Sequence, residues 1–211
     1  MFAPVTIPKI IEKLFPEIVF SKPALEKTIY LTFDDGPIPI VTEWVLELLR
    51  NENIKATFLC IGHNIEKYPE IFKKVIAHKH SVGNHTFNHL NGWKFSRDKY
   101  LKNITLCDTE ISKHINLTHK IFRPPYGKIN FFALKKIKSL GYSTVMWNVL
   151  SYDFDKKKSS EVCLKNVLQN VRNGSIIVFH DSEKAFNNLK NILPQVIKEL
   201  KKQGFCFGVL N

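Results

Sequence analysis

The chain lacks most of what marks the non-globular classes. Its 211 residues include only 9 Gly and 10 Pro, which excludes a collagen-like repeat or a low-complexity tract. No apolar run approaches the roughly 18 to 20 residues needed to cross a bilayer. The longest, around Ser143 to Leu150 and Ser175 to Phe179, have the length of buried strands. The N-terminus lacks the unbroken apolar core of a secretory signal, because Pro4, Pro8, Glu12 and Lys13 interrupt it. A cytoplasmic chain is therefore expected, with export by an unrecognised route as the alternative. Cys60, Cys107, Cys163 and Cys206 are far apart and form no CxxC pair. They suit reduced, mostly buried thiols better than a disulfide framework or a thiolate metal site.

Arginine is scarce as well. Only Arg50, Arg97, Arg123 and Arg172 occur, although 31 basic residues against 19 acidic ones leave a net charge of +12. Lysines scattered over helical stretches are poorly suited to bidentate phosphate or base recognition. The basic balance reads as a solvated lysine surface, and no nucleic-acid partner is expected.

What the chain does have is a core. Hydrophobic residues make up 44% of it and aromatics 12%, with 16 Phe, enough for one full-sized domain. Runs of β-branched and aromatic residues alternate with amphipathic stretches, the rhythm of βα units. Strands are expected at 28–33, 56–61, 81–84, 120–123, 143–149, 175–180 and 205–210, with helices near 40–51, 69–78, 97–115, 131–139, 160–172 and 187–203. Gly141 and Gly204 follow lysine-rich helix ends and precede strands, as C-terminal helix stops do. About seven parallel strands with right-handed crossovers can form an open doubly wound sheet or a barrel-like ring. Residues 1–27 stand apart as an N-terminal extension to a single domain of residues 28–211. In the extension Ile10, Ile11, Leu14 and Phe15 form a short helical apolar face, read as a cover on the core in preference to a membrane-surface helix.

Ionisable residues gather at the expected strand ends, where α/β folds place their sites. The first strand ends in Asp34-Asp35-Gly36-Pro37. Two adjacent carboxylates resist burial unless something positive compensates them, and Gly36-Pro37 must break the strand for both to reach one cavity. The third strand leads into His85-Thr86-Phe87-Asn88-His89, a spacing that puts two imidazoles on one face of a helical turn. With an aspartate, they make a His2Asp set that leaves coordination open for water and substrate. Arg123 precedes two prolines, Pro124 and Pro125, that would stiffen it as a carboxylate partner. His180 closes an apolar strand and is either satisfied locally or poised as an acid or base. His78, His80, His114 and His119 read as surface residues, and His63 as structural.

Together these residues resemble the polysaccharide deacetylase family, the NodB-homology domain or carbohydrate esterase family 4. The likeness rests on TFDDGP at 32–37, HTFNH at 85–89, RPPYG at 123–127, the segment ending at Asp153, and VFH at 178–180. The resemblance implies a distorted, incompletely closed (β/α) barrel. It implies that Asp35, His85 and His89 hold a divalent metal, zinc by preference, with cobalt, nickel and iron also compatible. It makes Asp34 the catalytic base held by Arg123, and His180 the general acid partnered by Asp153. It assigns substrate binding to Tyr126, whose backbone N–H serves the oxyanion, and to Pro125, Phe154 and Val178. Phe154 stands where many members have Trp, and Val178 where a leucine commonly lines the acetyl pocket. The implied activity is removal of acetyl groups from N-acetylated sugars, such as an N-acetylglucosamine-containing glycan or glycoconjugate. Hydrolysis of a small cyclic amide or imide, and carbohydrate binding without turnover, are the alternatives.

Overall fold

The computed structural model describes residues 4–22 and 24–211. In chain order the first half comprises α1 (Lys9–Leu14), β1 (Ile18–Val19), β2 (Thr28–Asp34), α2 (Val41–Asn51), β3 (Thr57–Cys60), α3 (Gly62–Lys67), α4 (Pro69–Ala77) and β4 (Ser81–Asn84). The second half comprises α5 (Arg97–Ser112), β5 (Lys120–Phe122), a 3-10 turn at Pro125–Gly127, α6 (Phe131–Ser139), β6 (Tyr142–Val145), β7 (Val149–Leu150), α7 (Ser160–Leu168), β8 (Ile176–His180), α8 (Glu183–Lys202) and β9 (Cys206–Gly208). Every expected strand and helix is present, with α3 and β1 additional.

The strands form one parallel sheet of nine, in the order β1–β6–β5–β4–β3–β2–β8–β7, with β9 on the first half of β2. The expected strand 143–149 is split in two: β6 pairs with β5, and β7 pairs with β8. The chain steps from one end of the sheet to the other through Met146–Asn148, so the ring closes incompletely there. Side chains explain the step. Arg123 takes the carbonyls of Val145 and Met146. The Asn148 carboxamide accepts from the Ile176 N–H in place of a strand partner.

The parallel register places like positions side by side. Phe33 of β2 lies between Phe58 of β3 and Phe179 of β8, with ring centroids 5.1 and 5.9 Å apart. This aromatic layer faces the helices. In α8, Leu189, Ile192, Leu193, Val196, Ile197 and Leu200 recur at helical spacing and are buried. The alternate positions, Thr32 and Asp34, turn into the barrel.

The N-terminal extension meets the sheet through its extended part. Val19 and Ile18 pair with β6, Thr6 bridges to Val149, and Ile18 and Phe20 are buried. The apolar face of Ile10, Ile11, Leu14 and Phe15 does form on a helix, but α1 buries none of its residues. Ile10 and Leu14 are exposed, and Phe15 stacks on the half-exposed Phe131. Of the histidines read as surface residues, His80 is buried: its Nδ1 accepts the Ala56 N–H, and burial lowers its pKa to about 4. Cys60, Cys107 and Cys163 are free and buried, while Cys206 is exposed. No helix among the described residues is long and apolar enough to cross a membrane.

Candidate functional site

A cavity of about 400 Å³ opens at the C-terminal ends of the strands. Asp34, Asp35, His85, His89, Tyr126, Phe154, Val178 and His180 line it. Arg123 and Asp153 sit behind it, and Pro125 is buried in its turn while Pro124 reaches the cavity instead.

The backbone makes this convergence possible. Adjacent carboxylates on a continuing strand would face opposite ways. Strand β2 ends at Asp34, and Asp35 takes a left-handed φ of 87°, which swings its carboxylate back to the same cavity. Asp181 stabilises the turn from below: its buried carboxyl accepts the Gly36 N–H at 3.0 Å and the Thr42 hydroxyl at 2.6 Å. A Cβ on Gly36 would lie 2.0 Å from Asp181 Oδ2, so only glycine fits. Burial raises the Asp181 pKa to about 8. Asp181 is not among the expected site residues, although its place directly after the strand-end His180 is a usable signal in the sequence.

The two histidines of HTFNH come together, but not on a helical turn. Residues 85–90 form a loop with left-handed Thr86 and His89 at φ 63° and 53°. Such backbone costs about 1–3 kcal/mol per residue and persists only when its surroundings impose it. Here Asn84 Oδ1 accepts from the Thr86 N–H, Asn103 Oδ1 from the N–H groups of Phe87 and Asn88, and Thr86 Oγ1 from the Leu90 N–H. Asn103 lies on α5, and no sequence signal tied it to the pair.

The resulting donor set suits a cation. His85 Nδ1 lies 2.8 Å from the Arg123 carbonyl, to which it must donate, leaving Nε2 bare towards the cavity. His89 Nδ1 lies 3.0 Å from the Tyr126 hydroxyl. Both Nε2 atoms face Asp35 Oδ1, at 3.8 and 3.3 Å, and that buried oxygen has no hydrogen-bond partner. Burial, and then the neighbouring His89, lower the His85 pKa to about 3, so the imidazole is neutral, as a ligand must be. One oxygen and two nitrogens within 4.8 Å of one another fit a divalent metal with coordination positions left over.

Beside this triad stand two groups with separate partners. Strand register puts Asp34 opposite His180 on neighbouring strands. Asp34 Oδ1 accepts from Arg123 Nη1 at 2.6 Å. The guanidinium is fully buried and also donates to Thr32 Oγ1 and to the Val145 and Met146 carbonyls. His180 Nδ1 lies 2.8 Å from Asp153 Oδ1, and Asp153 Oδ2 accepts the His180 N–H. Burial lowers the His180 pKa, but Asp153, by charge and by hydrogen bond, followed by Asp35 and Asp34, outweighs it and holds the imidazole at about 9. Phe154 packs edge-on against the His180 ring at 4.8 Å. His63 lies on α3, pairs with Glu66 and packs against Phe87 outside the cavity.

Three donors that could hold a cation, a buried carboxylate and an imidazole with its own carboxylate partner thus meet at the C-terminal rim of an open (β/α) barrel, where such folds place their hydrolytic sites. The polysaccharide deacetylase family profile matches residues 21–145. A peptidoglycan-N-acetylglucosamine deacetylase of Bacillus cereus is 36% identical over 90% of this chain and 89% of its own. The peptidoglycan-N-acetylmuramic acid deacetylase PdaA of Bacillus subtilis is 30% identical over 86% of this chain and 69% of its own. A crystal structure of a peptidoglycan N-acetylglucosamine deacetylase with 4-naphthalen-1-yl-N-oxidanyl-benzamide superposes with a TM-score of 0.86 and 34% identity, over 92% of this chain and 91% of that one. The chain belongs to the polysaccharide deacetylase family, and is accordingly a hydrolytic enzyme, a carbohydrate deacetylase.

Proposed function

We propose that this chain removes the acetyl group from N-acetylglucosamine residues of a glycan, leaving a free amine and acetate. The observation that carries the reading is the register pairing of Asp34 with His180, each with its own counter-ion, beside the Asp35–His85–His89 triad. In this reading the triad holds a divalent ion, zinc by preference. When bound, the ion polarises the amide carbonyl and acidifies a water. Asp34, oriented by Arg123, takes the water's proton. His180, cationic at neutral pH, donates a proton to the departing nitrogen, and Asp153 keeps its ring in place. The backbone N–H of Tyr126 donates to the developing oxyanion, while Phe154 and Val178 shape the wall around the acetyl group.

Residues 28–211 act as one catalytic domain in this proposal, with residues 1–27 as an extension packing on the core, supported by the pairing of Ile18 and Val19 with β6. The relatives named for peptidoglycan imply a substrate at the cell envelope, which favours the export alternative over a cytoplasmic protein; fractionation of cells and medium decides it.

The test is acetate release from N-acetylglucosamine oligomers by metal-stripped protein, with and without zinc, alongside Asp34→Asn and His180→Ala. Turnover that requires metal and is lost in both variants is expected. Zinc binding with no sugar turned over moves the reading to small cyclic amides. Sugar binding without metal or turnover makes the chain a carbohydrate-binding protein.

A further inference from the structure

Two of the three candidate metal ligands are braced through their own side chains, His85 Nδ1 by the Arg123 carbonyl and His89 Nδ1 by the Tyr126 hydroxyl. The third differs, because the buried Asp35 Oδ1 has no hydrogen-bond partner. Ligand carboxylates are usually hydrogen-bonded from behind. Asp35 also sits at a left-handed φ of 87°, a backbone that its neighbours must impose. The direction of its carboxylate is therefore set through the main chain.

The contacts that set it come from the start of α3, a helix absent from the expected alternation. Asn64 Nδ2 donates to the Asp35 carbonyl at 2.7 Å, and the Ile61 N–H donates to the Gly36 carbonyl at 2.9 Å. The two residues between them reach the other way. The Gly62 N–H donates to the Thr86 carbonyl at 3.0 Å, and the His63 N–H to the Phe87 carbonyl at 2.9 Å. Thr86 and Phe87 lie between His85 and His89, so residues 61–64 tie the turn that carries the carboxylate to the loop that carries the imidazoles. The fit is close: a Cβ on Gly62 would lie 2.6 Å from Phe87 Cδ2 and 2.9 Å from the Cys107 Cα on α5. On its far side α3 thus rests on the helix whose Asn103 holds the same loop.

We infer that residues 61–64 form a bracket that sets the spacing between Asp35 and the two imidazoles, with Asn64 as its positioning residue. The inference rests on the reading that Asp35, His85 and His89 hold a divalent ion. Donor distances at metal sites hold to within about 0.2 Å, and a group that orients a ligand from behind is commonly worth about 10- to 100-fold in metal affinity. Loss of the Asn64 amide leaves the three backbone bonds of the bracket in place but releases the Asp35 peptide.

The test is the zinc affinity of the whole, metal-stripped chain, measured by competition with a chromophoric chelator. Asn64→Leu, which keeps the volume but not the amide, should weaken zinc binding by about 10- to 100-fold. Urea unfolding of the metal-free protein is followed alongside, because a merely structural role lowers the unfolding midpoint and leaves the affinity of the folded protein unchanged. Asn64→Ala takes the place of Asn64→Leu should that variant not fold. In the cobalt-loaded protein the visible bands, which follow ligand geometry, should move in Asn64→Leu and also in Gly62→Ala, whose added methyl presses on the Phe87 ring. Glu66→Gln, exposed on the same helix, should keep the parental affinity and bands. Parental affinity and bands in a folded Asn64 variant overturn the bracket and leave the deacetylase reading standing, which acetate release by the zinc-loaded parent tests separately. A parent that takes up no zinc overturns the metal site, and the bracket with it.

Discussion

His85 and His180 line one cavity from the ends of neighbouring regions of the same sheet, yet they titrate in opposite directions. Burial, with His89 beside it, takes His85 down to about 3, whereas Asp153 outweighs burial and holds His180 at about 9. The difference lies in what each Nδ1 meets: a backbone carbonyl for His85 and a carboxylate for His180. A carbonyl fixes the tautomer but favours the imidazolium too little to offset burial and the neighbouring His89, so His85 suits a cation on Nε2. A carboxylate rewards the imidazolium, so His180 suits proton donation. One fold thus makes a ligand and an acid from the same side chain by choice of the group behind it.

The strongest way to break this contrast is to remove the ligand side. His85→Ala should reduce the metal retained after dialysis, measured by atomic emission, to background, and acetate release with it. Next comes the acid side: His180→Ala should lower kcat by about 10²- to 10⁴-fold, the usual worth of a positioned general acid, with metal content unchanged.

A sharper test changes only the partner. Asp153→Asn should move the alkaline limb of the pH–rate profile from near 9 towards about 6.5, the ordinary histidine value, costing roughly tenfold or more in rate at pH 8. The same shift governs stability. Because the folded pKa lies above the unfolded one, the stabilisation from His180 is complete below about 6.5 and is lost as pH rises through about 9. Urea unfolding at pH 6 and pH 10 should therefore show a larger loss in the parent than in Asp153→Asn. The smallest effect is expected at the wall: Phe154→Trp, beside His180, should change KM by about two- to tenfold and leave the pH profile in place.

Much of this arrangement is legible in the chain. The runs at 28–33 and 175–180, rich in β-branched and aromatic residues, become strands because such residues fit a pleated surface buried on both faces. The chemical residues fall at strand ends, so a parallel sheet necessarily delivers them to one rim. Less legible are features set by distant partners. The break between β6 and β7 follows from the Arg123 guanidinium, which takes the Val145 and Met146 carbonyls. The loop at His85–His89 replaces the expected helical turn because Asn84, Asn103 and Thr86 capture its backbone groups. His80 is buried against expectation because its ring takes the Ala56 N–H at the start of the neighbouring parallel strand β3. The exposure of α1 belongs to the same class: its amphipathic pattern shows that a helix forms, not whether a surface awaits it.

By itself the sequence determined the alternation of strands and helices, the family of hydrolases to which the chain belongs, and the residue types offered for chemistry, because periodicity and motif order are local properties. Only the tertiary structure decided that Asp34 and Asp35 face one cavity, and that Arg123 and Asp153 stand behind separate groups. These depend on left-handed backbone, strand register and loops meeting from distant parts of the chain, and the energy of a charge is set by the neighbours that folding brings to it.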